Sequence, residues 1–147
     1  MIQKIVLDTN VVVAGLRSRG GASHKILRWI ATGRFDLLMS VPLFFEYQAV
    51  LSRPEQLREM APLKRPDVDL MLGYWAQHCL PVKFHYLWRP QLKDPGDEMV
   101  LETAVNGACD YLVTFNLRDF AMAGRLFDLK VVAPAELLEL LKGKSDE

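Results

Sequence analysis

The 147-residue sequence has no surplus of either charge: 18 Lys and Arg are matched by 18 Asp and Glu. That balance excludes a generic basic binder of nucleic acid, whose affinity rests on an excess of cations. Cysteine is scarce, and the 2 residues present, Cys79 and Cys109, are far apart and outside any CxxC pair. Neither a disulfide framework nor a thiolate zinc site is indicated, and both are expected as small buried hydrophobes. Long apolar runs are missing as well. None approaches the roughly 18 residues that span a bilayer, and the apolar N-terminus is interrupted by Asp8 and lacks a small-residue cleavage site. A cytoplasmic chain without membrane attachment is expected. Repeats, low-complexity tracts and linkers are also lacking, since the 8 prolines and 9 glycines are scattered as punctuation. Residues 1–147 are therefore expected to form one domain, long enough to bury a sizeable core without covalent staples.

The zero charge conceals a division. Residues 1–65 carry 10 bases and 5 acids, and residues 66–147 carry 8 bases and 13 acids. Such asymmetry points either to a polyanion or metal partner or to two solvated faces of different composition.

Ile5-Val6-Leu7 reads as a strand buried on both faces, followed by the polar turn Asp8-Thr9-Asn10 and an apolar helix from Val11 to Leu16. Gly20-Gly21 breaks the chain, Ser23 is placed to cap a helix over 24–32, and Gly33 ends it. Phe35 to Val41 predicts a second strand, and Pro42 opens a helix through Ser52. Two helical segments near 55–60 and 67–79 precede a third strand at 81–84 and a polar loop at 85–93. Asp94-Pro95-Gly96-Asp97 opens a helix through Gly107; strands are predicted at 111–114 and 129–132, with a last helix at 134–141. This alternation predicts an α/β fold with a mostly parallel central sheet. Such sheets place ligands beyond the carboxyl ends of their strands.

The acids fall where that rule directs attention. Asp8 follows the first strand, where it either caps the next helix or acts in a site. Glu46 has Pro42, Leu43, Ala49 and Val50 as its helical neighbours, so its carboxylate is expected on an apolar face with a metal, Arg or Lys beside it. Asp97 heads the stripe Val100, Leu101, Ala104, Val105, Ala108 and is expected to point with the core face, while Glu98 and Glu102 form a repulsive pair suited to solvent. Asp94 reads as the helix cap. The segment Thr114-Phe115-Asn116-Leu117-Arg118-Asp119-Phe120 again follows a strand, either as a site or as a self-satisfied Thr/Asn turn. Acids and amides without a His-rich motif specify a hard-cation site for Mg²⁺ or Mn²⁺, and the matching chemistry is phosphoryl transfer or phosphodiester hydrolysis. His24, His78 and His85 show no ligand spacing, and Trp29, Trp75, Trp88 and the tyrosines read as core or dimer contacts.

At these residues the sequence resembles the PIN-domain family, and within it the VapC-like toxin ribonucleases of toxin–antitoxin systems. The resemblance rests on IVLDTNVVVAGL at 5–16, SVPLFFEYQAVL at 40–51, DPGDEMVLETAVNGACDYLVTFNLRDF at 94–120 and the VVAPAE ending. It implies a three-layer α/β/α sandwich whose clustered acids bind Mg²⁺ or Mn²⁺ and cleave RNA to 5′-phosphate and 3′-hydroxyl products. By motif position Asp8, Glu46 and Asp97 are the first three family acids. The fourth position falls at Asn116, where many members carry Asp, with Asp119 as the other candidate. Phe115 is bulkier than expected there. In the implied mechanism Asp8, Glu46 and Asp97 hold the metal, while Asn10, Thr114 and Asn116 orient water or phosphate. Arg17 and Arg19, with Lys25, Arg28 and Arg34, offer a phosphate-steering edge; all five also read as an ordinary solvated helix and loop, Arg28 and Arg34 more so than Arg17 and Arg19. A homodimer and a cognate antitoxin are further implications.

Two other readings compete. A haloacid-dehalogenase-like phosphatase also begins from an Asp after its first strand, but needs a second Asp where Asn10 stands. A degenerate PIN domain, binding RNA or protein without cleaving, draws support from Asn116.

Overall fold

Ile5, Val6 and Leu7 are fully buried, as a central strand covered by helices on both faces requires. The computed structural model describes residues 2–84, 92 and 94–142. In chain order its elements are β1 (Gln3–Leu7), α1 (Thr9–Arg17), α2 (Ala22–Ala31), β2 (Phe35–Met39), α3 (Val41–Leu51), α4 (Pro54–Glu59), α5 (Arg65–His78), β3 (Leu80–Pro81), α6 (Pro95–Asn106), β4 (Tyr111–Val113), α7 (Leu117–Leu126), β5 (Val131–Val132) and α8 (Pro134–Lys142). All strand pairs are parallel, in the order β3-β2-β1-β4-β5. The fold is a three-layer α/β/α sandwich. On one side α2 packs against β2 and α8, and α8 against β4; α6 packs against β1 and β2, with α3 and then α5 beyond it.

The strand order reverses direction between β1 and β4, with Ile5 beside Tyr111 and Leu7 beside Val113. This switch point is where an open parallel sheet leaves a crevice at its carboxyl edge. Two buried polar contacts fix the helices that flank it. The Tyr47 hydroxyl donates to the Leu7 carbonyl at 2.5 Å, which ties α3 to the last residue of β1. The Ser40 hydroxyl, which accepts from Leu43 N–H at 3.3 Å, lies 2.7 Å from the Thr103 hydroxyl, and the latter donates to the Met99 carbonyl at 2.7 Å. Ser40 must therefore be the donor to Thr103, and this one chain of bonds caps α3 while joining it to α6.

Several sequence expectations need correction. The third strand is Leu80–Pro81 rather than 81–84; Val82 N–H still reaches the Met39 carbonyl at 2.8 Å, but the ladder ends there. Pro81 brings no N–H, which only an edge strand tolerates. The fifth strand begins at Val131, because Leu129 N–H is already committed to the Gly124 carbonyl at 2.7 Å. Val41 starts α3 rather than ending β2, with Ser40 as its cap. Ser23 is not a cap: Gly21 holds that position and Ser23 is buried inside α2. Helix α7 was not anticipated. Its buried face is Phe120, Ala123 and Gly124, while Leu117, Met122 and Leu126 are exposed, so most of its large apolar residues point away from the core and obscure the short period that faces it. Cys79 and Cys109 are free and half-buried rather than buried; burial pushes the Cys109 thiol up to about 12, with Asp110 adding to it. His85 and Trp88 lie outside the described residues.

Three helices end in the same pair of backbone bonds or its longer member. After α2, Arg34 N–H bonds Trp29 O and Gly33 N–H bonds Ile30 O; after α6, Cys109 N–H bonds Ala104 O and Ala108 N–H bonds Val105 O; after α7, Leu129 N–H bonds Gly124 O. These are Schellman ends, whose turning residue adopts the left-handed conformation. Gly33 does so at φ 79°, but Ala108 and Asp128 do so at 50° and 55°. A side chain is costly there. Ala108 is exposed, so Ala108→Gly relieves strain without opening a cavity. It is expected to raise stability by about 0.5–1 kcal/mol, and Gly33→Ala to lower it by a similar amount. Urea denaturation of the two variants checks the opposite signs.

Candidate active site

Asp8 ends the central strand and Thr114 ends its neighbour across the switch point. The Thr114 hydroxyl donates to Asp8 Oδ2 at 2.7 Å, and Thr9 N–H donates to Asp8 Oδ1 at 2.7 Å, making Asp8 the cap of α1 as well. Thr114 Oγ1 in turn accepts from Asn116 N–H at 2.9 Å. Asp8 N–H bonds the Val113 carbonyl at 2.9 Å, so backbone and side chains together lock the two strand ends. Asp8 is 4% exposed and Thr114 is fully buried. Burial raises the Asp8 carboxyl above its ordinary range, helped by the charges of Asp94 and Asp119 and opposed by the bonds from Thr114 and Thr9.

Around Asp8 lies a cleft of about 540 Å³. Asn10 and Arg17 of α1, Glu46 of α3, Asp94 and Asp97 at the start of α6, and Asn116 before α7 all line it. The fold therefore brings together seven residues from four chain segments. Glu46 is half-buried, one position before the anchored Tyr47. Its carboxylate lies against the first turn of α6: a Cβ on Gly96 would stand 2.8 Å from Glu46 Oε1 and 3.2 Å from Asp94 Oδ1. Only a residue without a side chain lets the two acidic groups meet over that turn. Asp94 caps α6 by accepting from Gly96 N–H at 2.8 Å and so has both duties.

Asp97 shows what this crowding does. Its carboxyl is pushed from 3.8 up to about 7, first by burial and then by the charges of Asp8, Asp94, Asp119 and Glu46. Five acids thus share one field, and a cation or a proton relieves it. All of the donors are oxygens, which suits a hard divalent ion. As the side chains stand, however, no group of three or more His, Cys, Asp or Glu among the described residues is arranged to hold a metal.

Other candidates sit differently. Asp119 is exposed and outside the cleft, although its charge reaches Asp8 and Asp97. Arg19 is exposed and does not line it. Arg17 does, with its guanidinium 2.5 Å from Glu59 of α4. Lys25 and Arg34 instead stand over the Trp29 ring, 5.2 and 4.0 Å from its centroid. Asp97 is half-buried rather than part of the core face, whereas Glu98 and Glu102, expected in solvent, are buried. The predicted stripe is in the core at Val100, Leu101 and Ala104, but the buried face of α6 is wider than the stripe and takes in Glu98, which accepts the Leu92 N–H. His24 meets the Gly15 carbonyl at 3.0 Å and His78 stacks on Tyr74 at 4.1 Å, both away from the cleft. Sequence reasoning did not find Arg53 and Gln56, which line the cleft from the start of α4; the turn at Arg53-Pro54 gave no sign of which way they face. The amide oxygens of Asn10 and Gln56, two residues of the cleft lining, are buried with no hydrogen-bond partner.

A PIN domain profile matches residues 4–118. Among curated proteins none matches the chain. Among solved structures, a chain of VapBC2 from Rickettsia felis, bound to a DNA fragment from their promoter, superimposes with a TM-score of 0.58 at 15% identity, over 88% of this chain and 98% of that one. At that identity the likeness concerns the fold.

The Thr114 bond predicts that Thr114→Val destabilises the protein by about 1–3 kcal/mol by stranding Asp8 Oδ2 and Asn116 N–H, and raises the Asp8 pKa further; Thr114→Ser preserves both. Denaturant unfolding and an NMR titration of Asp8 separate the two effects. For Asp97 the folded carboxyl is raised relative to the unfolded chain, so its share of stability is intact below about pH 4 and is lost as pH rises to about 7. In metal-free buffer Asp97→Asn is expected to remove that decline, and thermal unfolding at pH 5 and pH 8 measures it.

Proposed function

The chain belongs to the PIN-domain family, and on that footing we propose that it is a divalent-metal-dependent ribonuclease hydrolysing RNA phosphodiester bonds, the toxin of a toxin–antitoxin pair. The observation that carries this reading is the convergence of Asp8, Glu46, Asp94 and Asp97 on one cleft at the switch point, with Asp97 pushed up to about 7. Carboxylates that raise one another in this way are held at a cost that a bound cation offsets.

The donor set fits Mg²⁺ or Mn²⁺. Asp8, Glu46 and Asp97 would hold the ion, with Asn116 at the fourth position because it lines the cleft while Asp119 does not. When bound, such an ion supplies an acidified water and neutralises charge at the leaving oxygen. The chain's own residues do the rest. Thr114 and Thr9 fix the orientation of Asp8, Asn10 lines the cleft with its amide oxygen buried, and Arg17 and Arg53 line the same cleft as the acids, where they would attract and align phosphates. The antitoxin partner is supported by the fold shared with a VapBC chain; among the described residues no helix is long and apolar enough to cross a membrane, and a cytoplasmic location is part of the same proposal. A homodimer belongs to the same proposal.

A second reading, a PIN domain that binds RNA or protein without cleaving, is favoured by one observation: the cleft position next to Phe115 is held by the amide Asn116, where a fourth acid is expected. Cleavage of an RNA panel by purified protein in Mg²⁺ or Mn²⁺ decides between them. The nuclease reading expects cleavage that Asp8→Asn lowers by about 100-fold or more, the loss of several kcal/mol of charge stabilisation, and that Asp119→Asn lowers only several-fold. An intact panel with both metals would falsify it. Calorimetry adds a second check: because Asp97 titrates near 7, Mg²⁺ binding is expected to be stronger at pH 8 than at pH 5.5 and to release a proton, a difference that Asp97→Asn abolishes.

A further inference from the structure

Phe115 is the single aromatic side chain among the described residues that line the acidic cleft, and it is 52% exposed. Its backbone is not loose. Thr114 before it is fully buried with its N–H on the Val132 carbonyl at 2.9 Å, and Asn116 after it is held by the Thr114 hydroxyl at 2.9 Å. The same hydroxyl that orients Asp8 therefore anchors the backbone that carries the ring to the cleft wall. No aromatic ring among the described residues packs on it. A phenylalanine on an anchored backbone and left half in water forgoes much of the burial that such a side chain supplies.

We propose that Phe115 is the stacking face for an unpaired nucleobase adjoining the scissile phosphate, which makes the cleft selective for single-stranded substrate. This rests on the nuclease reading above for the position of the phosphate. A phosphate held between the acids' cation and the arginines Arg17 and Arg53 carries its own base within a few ångströms of the cleft rim. A ring there meets the base's π-face, which is open only when the nucleotide is unstacked from a duplex. A protein partner is the less favoured occupant, because acids, amides and arginines dominate the cleft wall and its other apolar residues, Val13, Ala14 and Val50, are small. The other exposed apolar residues nearby, Leu117, Met122 and Leu126, do not line it.

Two measurements test this. In steady-state cleavage of a short mixed-sequence oligoribonucleotide, Phe115→Ala is expected to raise KM by about 5- to 100-fold with a smaller change in kcat, and Phe115→Trp to restore it. Activity on the same sequence annealed to its complement should be low and indifferent to the substitution. The second readout needs no cleavage: in an Asp8→Asn background, the added emission of Phe115→Trp, taken against the Asp8→Asn parent, is expected to be quenched by the single strand and not by the duplex. If wild type cleaves nothing but this quenching persists, the nuclease reading fails and the stacking face stands. Unchanged KM in Phe115→Ala, equal quenching by single strand and duplex, or no quenching at all overturns the proposal. So does an equal loss in Met122→Ala, which lies outside the cleft and would show that the effect does not come from stacking within it.

Discussion

The hydrogen bond from Thr114 to Asp8 is the contact on which the site depends. It closes the one gap in the sheet where adjacent strands are followed by connections running in opposite directions, and it joins the side chains at the ends of both strands. Because Asp8 also caps α1 and Thr114 also receives Asn116 N–H, one pair of side chains sets the direction of two helices. Tyr47 adds the third fixed point by holding the Leu7 carbonyl, which places Glu46 on the cleft wall. A buried carboxylate that accepts two donors is tolerable; the same carboxylate facing Asp94 and Asp97 with nothing between them is not neutral for the fold.

The architecture accepts that repulsion by keeping the rest of the crowd partly wet. Asp97 and Glu46 are half-buried and Asp94 is exposed, so solvent and a proton on Asp97 both moderate the field. Gly96 contributes by absence, since any side chain there would drive Glu46 away from the first turn of α6. Stability has been traded for a standing affinity for positive charge, which is the usual signature of a functional cluster rather than of a structural ion pair.

Much of this was readable in the residues. The run Ile5-Val6-Leu7 with Asp8 after it, Tyr111 to Val113 with Thr114 after it, and Asp94-Pro95 opening a helix each combine a local pattern with a boundary signal, and those elements lie where their patterns put them. What was not readable depended on tertiary contacts. Glu98 and Glu102 look like solvent-facing charges, yet α6 turns them inward. Helix α7 packs through Ala123 and Gly124, residues too small to announce a buried face. Arg53 and Gln56 reach the cleft only because α4 folds back beneath α1, where Glu59 meets Arg17. A one-dimensional pattern records a residue's neighbours in sequence, and those three outcomes were decided by neighbours in space.

The parallel topology also carries a consequence in time. Asp8 and Thr114 are 106 positions apart, and no strand lies between β1 and β4 in the sheet. Closing so long a loop is entropically costly and comes late in folding, after the more local pairing of β1 with β2. During synthesis, Asp8 and Glu46 leave the ribosome well before Asp97 and Thr114 exist. The cleft cannot form on a partial chain. The acids of the cleft are in this way kept apart on the nascent chain and gathered only when the fourth strand is added.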